Sequence, residues 1–101
     1  MNDRYLFTIR VDIAPEHEQA FNEWYSGIHV PELLALPGFI SARRYRAIEG
    51  APRFFTLYEI AEPGVLHSEG FQKVRGFYQF TPHISNFARN VYERIYPPVT
   101  E

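Results

Sequence analysis

The 101-residue sequence contains no cysteine. It therefore holds no disulfide, no thiolate nucleophile and no cysteine metal cluster. Lysine is scarce as well, because Lys73 is the single lysine beside nine arginines. Arginine is favoured where a cation stacks or pairs inside a partly buried surface, since its planar fork makes several directed bonds. The excess of arginine over lysine indicates either cations that stack or pair in a partly buried surface, or only a compositional preference of the sequence.

Long hydrophobic runs are also missing. No run approaches the roughly 20 apolar residues that a membrane-spanning helix needs, and residues 1–10 lack the order of a signal peptide. The net charge is -2, and no segment is basic enough to bind nucleic acid through counterion release. We therefore expect a cytoplasmic protein whose partners include neither a membrane nor a nucleic acid.

Histidines at metal-ligand spacing are absent too. The four histidines are His17, His29, His67 and His83. No two of them are separated by the three or four residues that bring a pair of imidazoles to one ion on a helix. The sequence also lacks a glycine-rich phosphate loop and a G-x-S-x-G motif. We expect neither a metal nor a bound cofactor.

Apolar and aromatic residues are plentiful, at 46% and 17% of the sequence. One domain over residues 1–101 is expected, because domains usually hold about 100–150 residues. An aromatic content this high can fill a core, line a cavity or build an interface.

The periodicity of the sequence predicts the order of its elements. Residues 4–13 alternate and predict a strand with one fully apolar face. Residues 39–47 and 53–60 have the β-branched and aromatic content of strands and predict a hairpin. Residues 65–80 predict a helical region that is bent or in pieces, and residues 86–96 predict a last strand.

A first helix is expected to begin near Pro15. The residues of its apolar stripe, spaced as on one face of an α-helix, are Phe21, Trp24, Tyr25 and Ile28. Pro31 lacks a backbone donor, so the helix should end or bend near residues 28–30. The complete order, βαββαβ, is that of an α+β ferredoxin-like fold: a four-stranded antiparallel sheet with the helices on one face.

The predicted sheet is apolar on both faces. Two helices cover only one face, yet the third strand carries Phe55 and Leu57 opposite Phe54 and Tyr58. At about 25 cal/mol per Å² of apolar area, leaving several such side chains in water forgoes several kcal/mol. We therefore expect a homodimer through the sheet faces. The alternative is a monomer with one exposed apolar face.

The most distinctive stretch is FNEWYSGIHVPELLALPGF, residues 21–39. An aromatic-rich helix is followed by His-x-Pro-Glu-Leu-Leu and by Pro-Gly-Phe, and the run PGF-x-x-ARRY extends this pattern. It resembles the dimeric α+β barrel superfamily, most closely its EthD-like members. The resemblance implies a ferredoxin-like protomer, a dimer through the sheets and a pocket between sheet and helices. Relatives include cofactor-free monooxygenases of aromatic polyketides, lactone isomerases, cyclases and haem-degrading enzymes, so an architecture is implied but not one reaction.

His29 is the candidate catalytic residue, because an imidazole exchanges protons near neutral pH. On a continuous helix it shares a side with Tyr25, next to the apolar stripe. The alternative is structural: the ring caps backbone groups at the bend made by Pro31. Glu32 either orients His29 or complements the dipole of the following short helix.

The candidate substrate-binding residues are Trp24, Tyr25, Arg43, Arg44, Tyr58 and His83. An arginine aimed into the pocket would hold an enolate, phenolate or carboxylate. The alternative for Arg43 and Arg44, which lie on opposite faces of the second strand, is a salt bridge with Glu59, Glu93 or a dimer partner. Trp24 is either a flat wall of the pocket or a core residue, and His83 is expected at the pocket rim.

Three functions are compatible with these patterns. The first is a cofactor-independent enzyme for a small apolar, aromatic or polyketide-like ligand, in which His29 moves a proton. The second is a non-catalytic binding or assembly module, and a third, a ligand-sensing regulator, is weakened by the lack of a DNA-binding segment. A cavity of about 300 Å³ or more with His29 on its wall would favour the first, and a filled interior the second.

Overall fold

The computed structural model describes residues 3–100. Its strands and helices are β1 (Tyr5–Ile13), α1 (Glu18–Trp24), α2 (Val30–Leu34), β2 (Phe39–Arg46), β3 (Phe54–Ile60), α3 (Glu69–Val74) and β4 (Ile84–Glu93). A π-helical turn at Tyr25–His29 joins α1 to α2, and short 3-10 turns lie at Pro15–His17, Pro63–His67 and Tyr78–His83. The second helical region is therefore in three pieces, as expected.

The four strands form one antiparallel sheet in the order β2-β3-β1-β4. The helices lie on one face of it, so the ferredoxin-like α+β fold predicted from the sequence is confirmed. The last strand begins two residues earlier than predicted and ends at Glu93 rather than at residue 96. Among the helices of residues 3–100, none is long and apolar enough to cross a lipid bilayer.

The turn between α1 and α2 departs from α-helical spacing. A π-helix bonds residue i to i+5, so it displaces every later side chain around the axis. His29 consequently faces the core and is 3% exposed, whereas Ile28 is 55% exposed. The expectation that Ile28 belongs to the buried stripe is wrong. The sequence predicted an end or a bend near residues 28–30. The chain stays helical there but changes its helical spacing, since the π-helical turn ends at His29 and α2 begins at Val30, one residue before Pro31.

The core lies between the sheet and the helices. Its sheet side consists of the inward residues Phe7, Ile9, Val11, Ile13, Phe39, Phe54, Tyr58 and Ile60. Its helical side includes Phe21, Trp24, Leu33 and Phe71, all buried. Ser68 caps α3, since its hydroxyl oxygen accepts a hydrogen bond from the Phe71 N–H at 3.1 Å. Aromatic rings therefore hold the helical layer against the sheet.

The outer face of the sheet, the one turned away from the helices, carries a mixture of side chains. The strand register places these apolar residues on it: Leu6, Tyr45, Phe55, Leu57 and Tyr92. Tyr45 and Tyr92 are about half exposed in the protomer. The two-faced pattern seen in the sequence is therefore present in the structure.

Asp12, near the end of β1, ties two other segments together. Its carboxylate accepts hydrogen bonds from the Arg53 backbone N–H and from the Asn86 side-chain amide, each at 2.7 Å. Asn86 has a φ of 53°, in the left-handed region that asparagine tolerates better than most residues. Asp12 thus fixes the start of β4 at the point where the β1-β4 register shifts.

Candidate functional site

A cavity of about 510 Å³ lies between the sheet and the helices, and we call it the apolar cavity. Four phenylalanines supply much of its wall: Phe7, Phe71, Phe77 and Phe87. Polar groups enter from Tyr25, His29, Tyr58, Arg75 and Arg89. A mainly apolar cavity with a few convergent polar groups is typical of a small-molecule site.

His29 is held in the wall of the apolar cavity by aromatic neighbours. Its ring stacks on Trp24, with centroids 4.8 Å apart and an interplanar angle of 15°. The edge of Tyr25 packs against it at a centroid distance of 5.0 Å. Because the imidazole packs between these two rings, its orientation is fixed before any ligand enters.

The Nδ1 atom of His29 lies 3.6 Å from a carboxylate oxygen of Glu32, slightly beyond hydrogen-bond distance. Both atoms are buried, and neither has a hydrogen-bond partner within residues 3–100. Burial lowers the pKa of His29, although the nearby Glu32 carboxylate opposes this shift. The imidazole is therefore neutral at pH 7 and can accept a proton, while Glu32 is placed to stabilise the resulting cation.

Tyr25 and Tyr58 form a pair of phenols in the same wall. The Tyr58 hydroxyl donates to the Tyr25 hydroxyl at 3.4 Å, and both rings are buried. Burial raises the pKa of each phenol. Both groups therefore remain protonated. Because the Tyr58 proton is donated to Tyr25, the Tyr25 hydroxyl is the one that can donate a hydrogen bond to an oxygen atom of a ligand.

Arg75 and Arg89 are lining residues that the sequence reasoning missed. Arg89 lies opposite Ile9 on the inward face of β4, and its guanidinium lies 5.1 Å from the centre of the Phe7 ring. Neither arginine has an ion-pair partner in the part of the chain that the structure describes. The sequence did contain a signal for Arg89, because this residue interrupts the apolar side of the last strand between Phe87 and Val91.

The structure brings together only some of the candidates from the sequence. Tyr25, His29 and Tyr58 line the apolar cavity, and Trp24 lies behind His29 rather than in the lining. Arg43 is on the outer face, 3.8 Å from a carboxylate oxygen of Glu59.

Arg44 and His83 also lie apart from the lining of the apolar cavity. The Arg44 guanidinium lies over the Tyr25 ring, 4.3 Å from its centre, and lines a separate concave surface. His83 stacks on His17 with ring centroids 3.7 Å apart. In the described chain no three histidine, aspartate or glutamate side chains are grouped so as to hold a metal ion.

Solved structures of other proteins share this fold. An ethyl tert-butyl ether d (EthD) family protein from Bacillus halodurans has a TM-score of 0.65 and 16% identity, covering 90% of this chain and 99% of that one. SnoaB, a cofactor-independent oxygenase from Streptomyces nogalater, has a TM-score of 0.69 and 11% identity, covering 92% and 94%. MhuD, a heme-degrader from Mycobacterium tuberculosis, has a TM-score of 0.69 and 10% identity, covering 90% and 95%.

These similarities confirm the protomer fold of the dimeric α+β barrel and EthD-like proteins that the sequence pattern predicted. Curated protein sequences gave no match. A family described as "Domain of unknown function (DUF4286)" matches residues 4–68, which is more than half of the chain. The chain therefore belongs to the DUF4286 family, and its protomer has the ferredoxin-like α+β fold of these solved structures.

Proposed function

We propose that this protein binds a small, mainly apolar molecule with an acidic oxygen in the apolar cavity, and that His29 transfers a proton to or from that molecule. The observation that carries the proposal is the cavity volume of about 510 Å³ with His29 in its wall. A filled interior would have favoured a purely structural module instead.

The geometry of His29 supports the role of general base. Its pKa is lowered, so the neutral form dominates at pH 7. Nδ1 faces Glu32, and no hydrogen bond to a described residue occupies Nε2. A proton taken up at Nε2 would give an imidazolium whose other N–H points at the Glu32 carboxylate, which stabilises the cation.

The remaining polar groups suit the anion that proton removal leaves on the ligand. Tyr25 is a protonated donor in a buried wall and itself accepts a hydrogen bond from Tyr58, so a hydrogen bond from Tyr25 to an oxyanion is strong. Arg75 and Arg89 add two cations without ion-pair partners. An enolate or phenolate within a flat aromatic molecule fits this combination of charge and apolar surface.

The class of reaction is part of the proposal. Proton removal from an aromatic or polyketide-like ligand would begin a cofactor-independent oxygenation, isomerisation or cyclisation. Solved proteins of this fold include a cofactor-independent oxygenase and a heme-degrader. These examples support the proposal that a protein of this fold acts on a small molecule. The proposal requires no cofactor, since the imidazole alone removes the proton.

Isotope exchange tests this proposal without knowledge of the natural substrate. Aromatic 1,3-diketones carry an acidic C–H between two carbonyl groups, and NMR in D₂O follows its replacement by deuterium. We expect the protein to accelerate the exchange and to bind the diketone at one site per chain. A rate equal to that in buffer alone for every diketone that binds would contradict a catalytic role and leave a ligand-binding module.

A non-catalytic ligand-binding module is the alternative function. Its support is the tight packing of His29 between Trp24 and Tyr25, which also suits a residue that only stabilises the fold. This alternative predicts ligand binding with no exchange.

The proposal includes a homodimer in which the outer faces of two sheets meet. Apolar residues on that face, such as Leu57 and Phe55, would then leave water. Glu59 is buried on the same face, and its Oε2 atom has no hydrogen-bond partner among residues 3–100. A second copy would supply both the apolar cover and a donor for this oxygen.

A further inference from the structure

A second concave surface lies at the edge of β2, beside α1, and we call it the polar groove. Its volume is about 260 Å³, and its lining residues are Asn22, Ser26, Arg44, Tyr45, Arg46 and Phe54. None of them lines the apolar cavity. An inference about the polar groove therefore does not depend on the ligand or the reaction proposed for the apolar cavity.

The guanidinium of Arg44 is held in one position within the polar groove. Its Nε–H donates to the Thr56 hydroxyl at 3.3 Å, and its Nη1–H donates to the Ser26 hydroxyl at 3.0 Å. The Cζ atom of the guanidinium lies over the Tyr25 ring, 4.3 Å from its centre. Such a cation loses little conformational entropy when it binds a ligand, because it is already ordered.

The positive charge in the polar groove is not balanced. Within the described part of the chain, no carboxylate lies within ion-pair distance of Arg44 or Arg46. The carboxylate of Glu18, one helical turn before Asn22, accepts two hydrogen bonds from Arg53, at 2.9 and 3.2 Å. That acid is therefore already neutralised. Partial burial lowers the pKa of Arg44 but leaves the guanidinium charged at neutral pH.

We propose that the polar groove is a binding site for a tetrahedral oxyanion, either inorganic phosphate or a phosphate monoester. Two guanidinium groups can supply paired N–H donors, and the Asn22 amide and Ser26 hydroxyl add donors from the helix side. Donors that approach from the strand and from the helix suit a tetrahedral anion, whose oxygen atoms point in several directions. A planar carboxylate needs only the two parallel N–H groups of one guanidinium. The combined charge of the two arginines matches a dianion.

The aromatic ring next to the polar groove makes it possible to distinguish inorganic phosphate from a phosphate monoester as the natural ligand. Tyr45 lines the groove, is about half exposed and offers apolar surface to an organic group attached to the phosphate, whereas the Phe54 ring is buried. Phenyl phosphate should therefore bind more tightly than inorganic phosphate if a monoester is the natural ligand. Equal affinities assign the site to the free ion.

The test is a titration of the full-length protein with inorganic phosphate, phenyl phosphate and acetate at constant ionic strength, followed by NMR of backbone and arginine Nε–H signals. Binding of the phosphate compounds should saturate, with shifts at Asn22, Ser26 and the Nε–H of Arg44. Acetate should bind at least about tenfold more weakly, since it engages fewer of the charge-assisted bonds. Equal binding of acetate and phosphate, or shifts without saturation, would overturn the proposal.

Variants locate the site. Arg46→Gln removes an exposed cation without disturbing the core and should weaken phosphate binding about tenfold or more. Lys73→Gln makes the same change in net charge at an exposed position on α3 and should leave the affinity unchanged. Ser26→Ala, on the helix side, should weaken binding by a smaller factor. Identical losses in the Arg46 and Lys73 variants would show only a general charge effect and would refute the site.

Discussion

Trp24 and His29 stack with their ring centroids 4.8 Å apart, although five residues separate them in one continuous helical segment. In an α-helix of 3.6 residues per turn, such residues point about 140° apart around the axis. The π-helical turn at Tyr25–His29 removes this divergence and lays the imidazole on the indole. The local break in helical spacing therefore turns His29 into the apolar cavity, and π-turns of this kind often occur at functional sites.

His29→Phe separates catalysis from packing. Phenylalanine keeps a ring on Trp24 but has no nitrogen, so deuterium exchange into a bound 1,3-diketone should fall to the rate in buffer. Phenylalanine is larger than histidine, so the overpacking should lower the free energy of unfolding by about 1–3 kcal/mol. Urea unfolding and NMR measure the two quantities. Full exchange activity in this variant would contradict the proposed base.

The pH dependence of stability gives a second view of His29. Burial lowers its folded-state pKa below the usual value of 6.5, so the unfolded state takes up a proton at a higher pH than the folded state does. The contribution to stability is therefore complete above pH 6.5 and is lost as the pH falls below it. His29→Phe should flatten this part of the curve of unfolding free energy against pH. His67→Phe, at an exposed position, is the control and should leave it unchanged.

Arg89→Gln tests the charge in the apolar cavity. The variant keeps a polar side chain of similar length but loses the cation that lies over Phe7. Naphthoate should bind about tenfold more weakly to this variant, since a charged hydrogen bond is lost. Naphthalene methanol, which has no charge, should bind to both proteins alike. Calorimetry measures both affinities, and an equal loss for the two probes would show a change of cavity shape instead.

The state of association tests the outer face of the sheet. Light scattering should give about twice the protomer mass of 11.9 kDa. Tyr92→Glu places a carboxylate on the outer face, opposite Leu6, and should yield the protomer, because a charge cannot be buried there without a partner. Ile28→Glu, at an exposed apolar residue of the helical layer, should leave the mass unchanged. A measured mass equal to that of one protomer for the wild-type chain would contradict the proposed dimer.

The sequence was informative about the sheet because strand alternation has a fixed period. Phe7, Ile9 and Val11 face the core as their spacing predicts, and the order of strands and helices follows from such patterns. The π-turn was not predictable in this way, since hydrophobic spacing is interpreted with the α-helical period. That assumption placed Ile28 inside, where the structure has His29.

The polar part of the candidate site was less predictable than its aromatic part. Tyr25, His29 and Tyr58 were candidates and do line the apolar cavity, because each lies next to a strongly apolar pattern. The arginines were harder to place. Arg44 and Arg89 both face inward from strands, but only the three-dimensional position of the covering helices decides which of them reaches the cavity.

The carboxylate of Asp12 has an influence well beyond the two segments that it joins. It holds Asn86 in a left-handed backbone conformation, and the next residue, Phe87, forms part of the cavity wall. The direction in which that phenyl ring enters the cavity is therefore set by an acid outside its lining. Replacing Asp12 would change the outline of the cavity while the imidazole, phenols and guanidiniums of its wall stay in place.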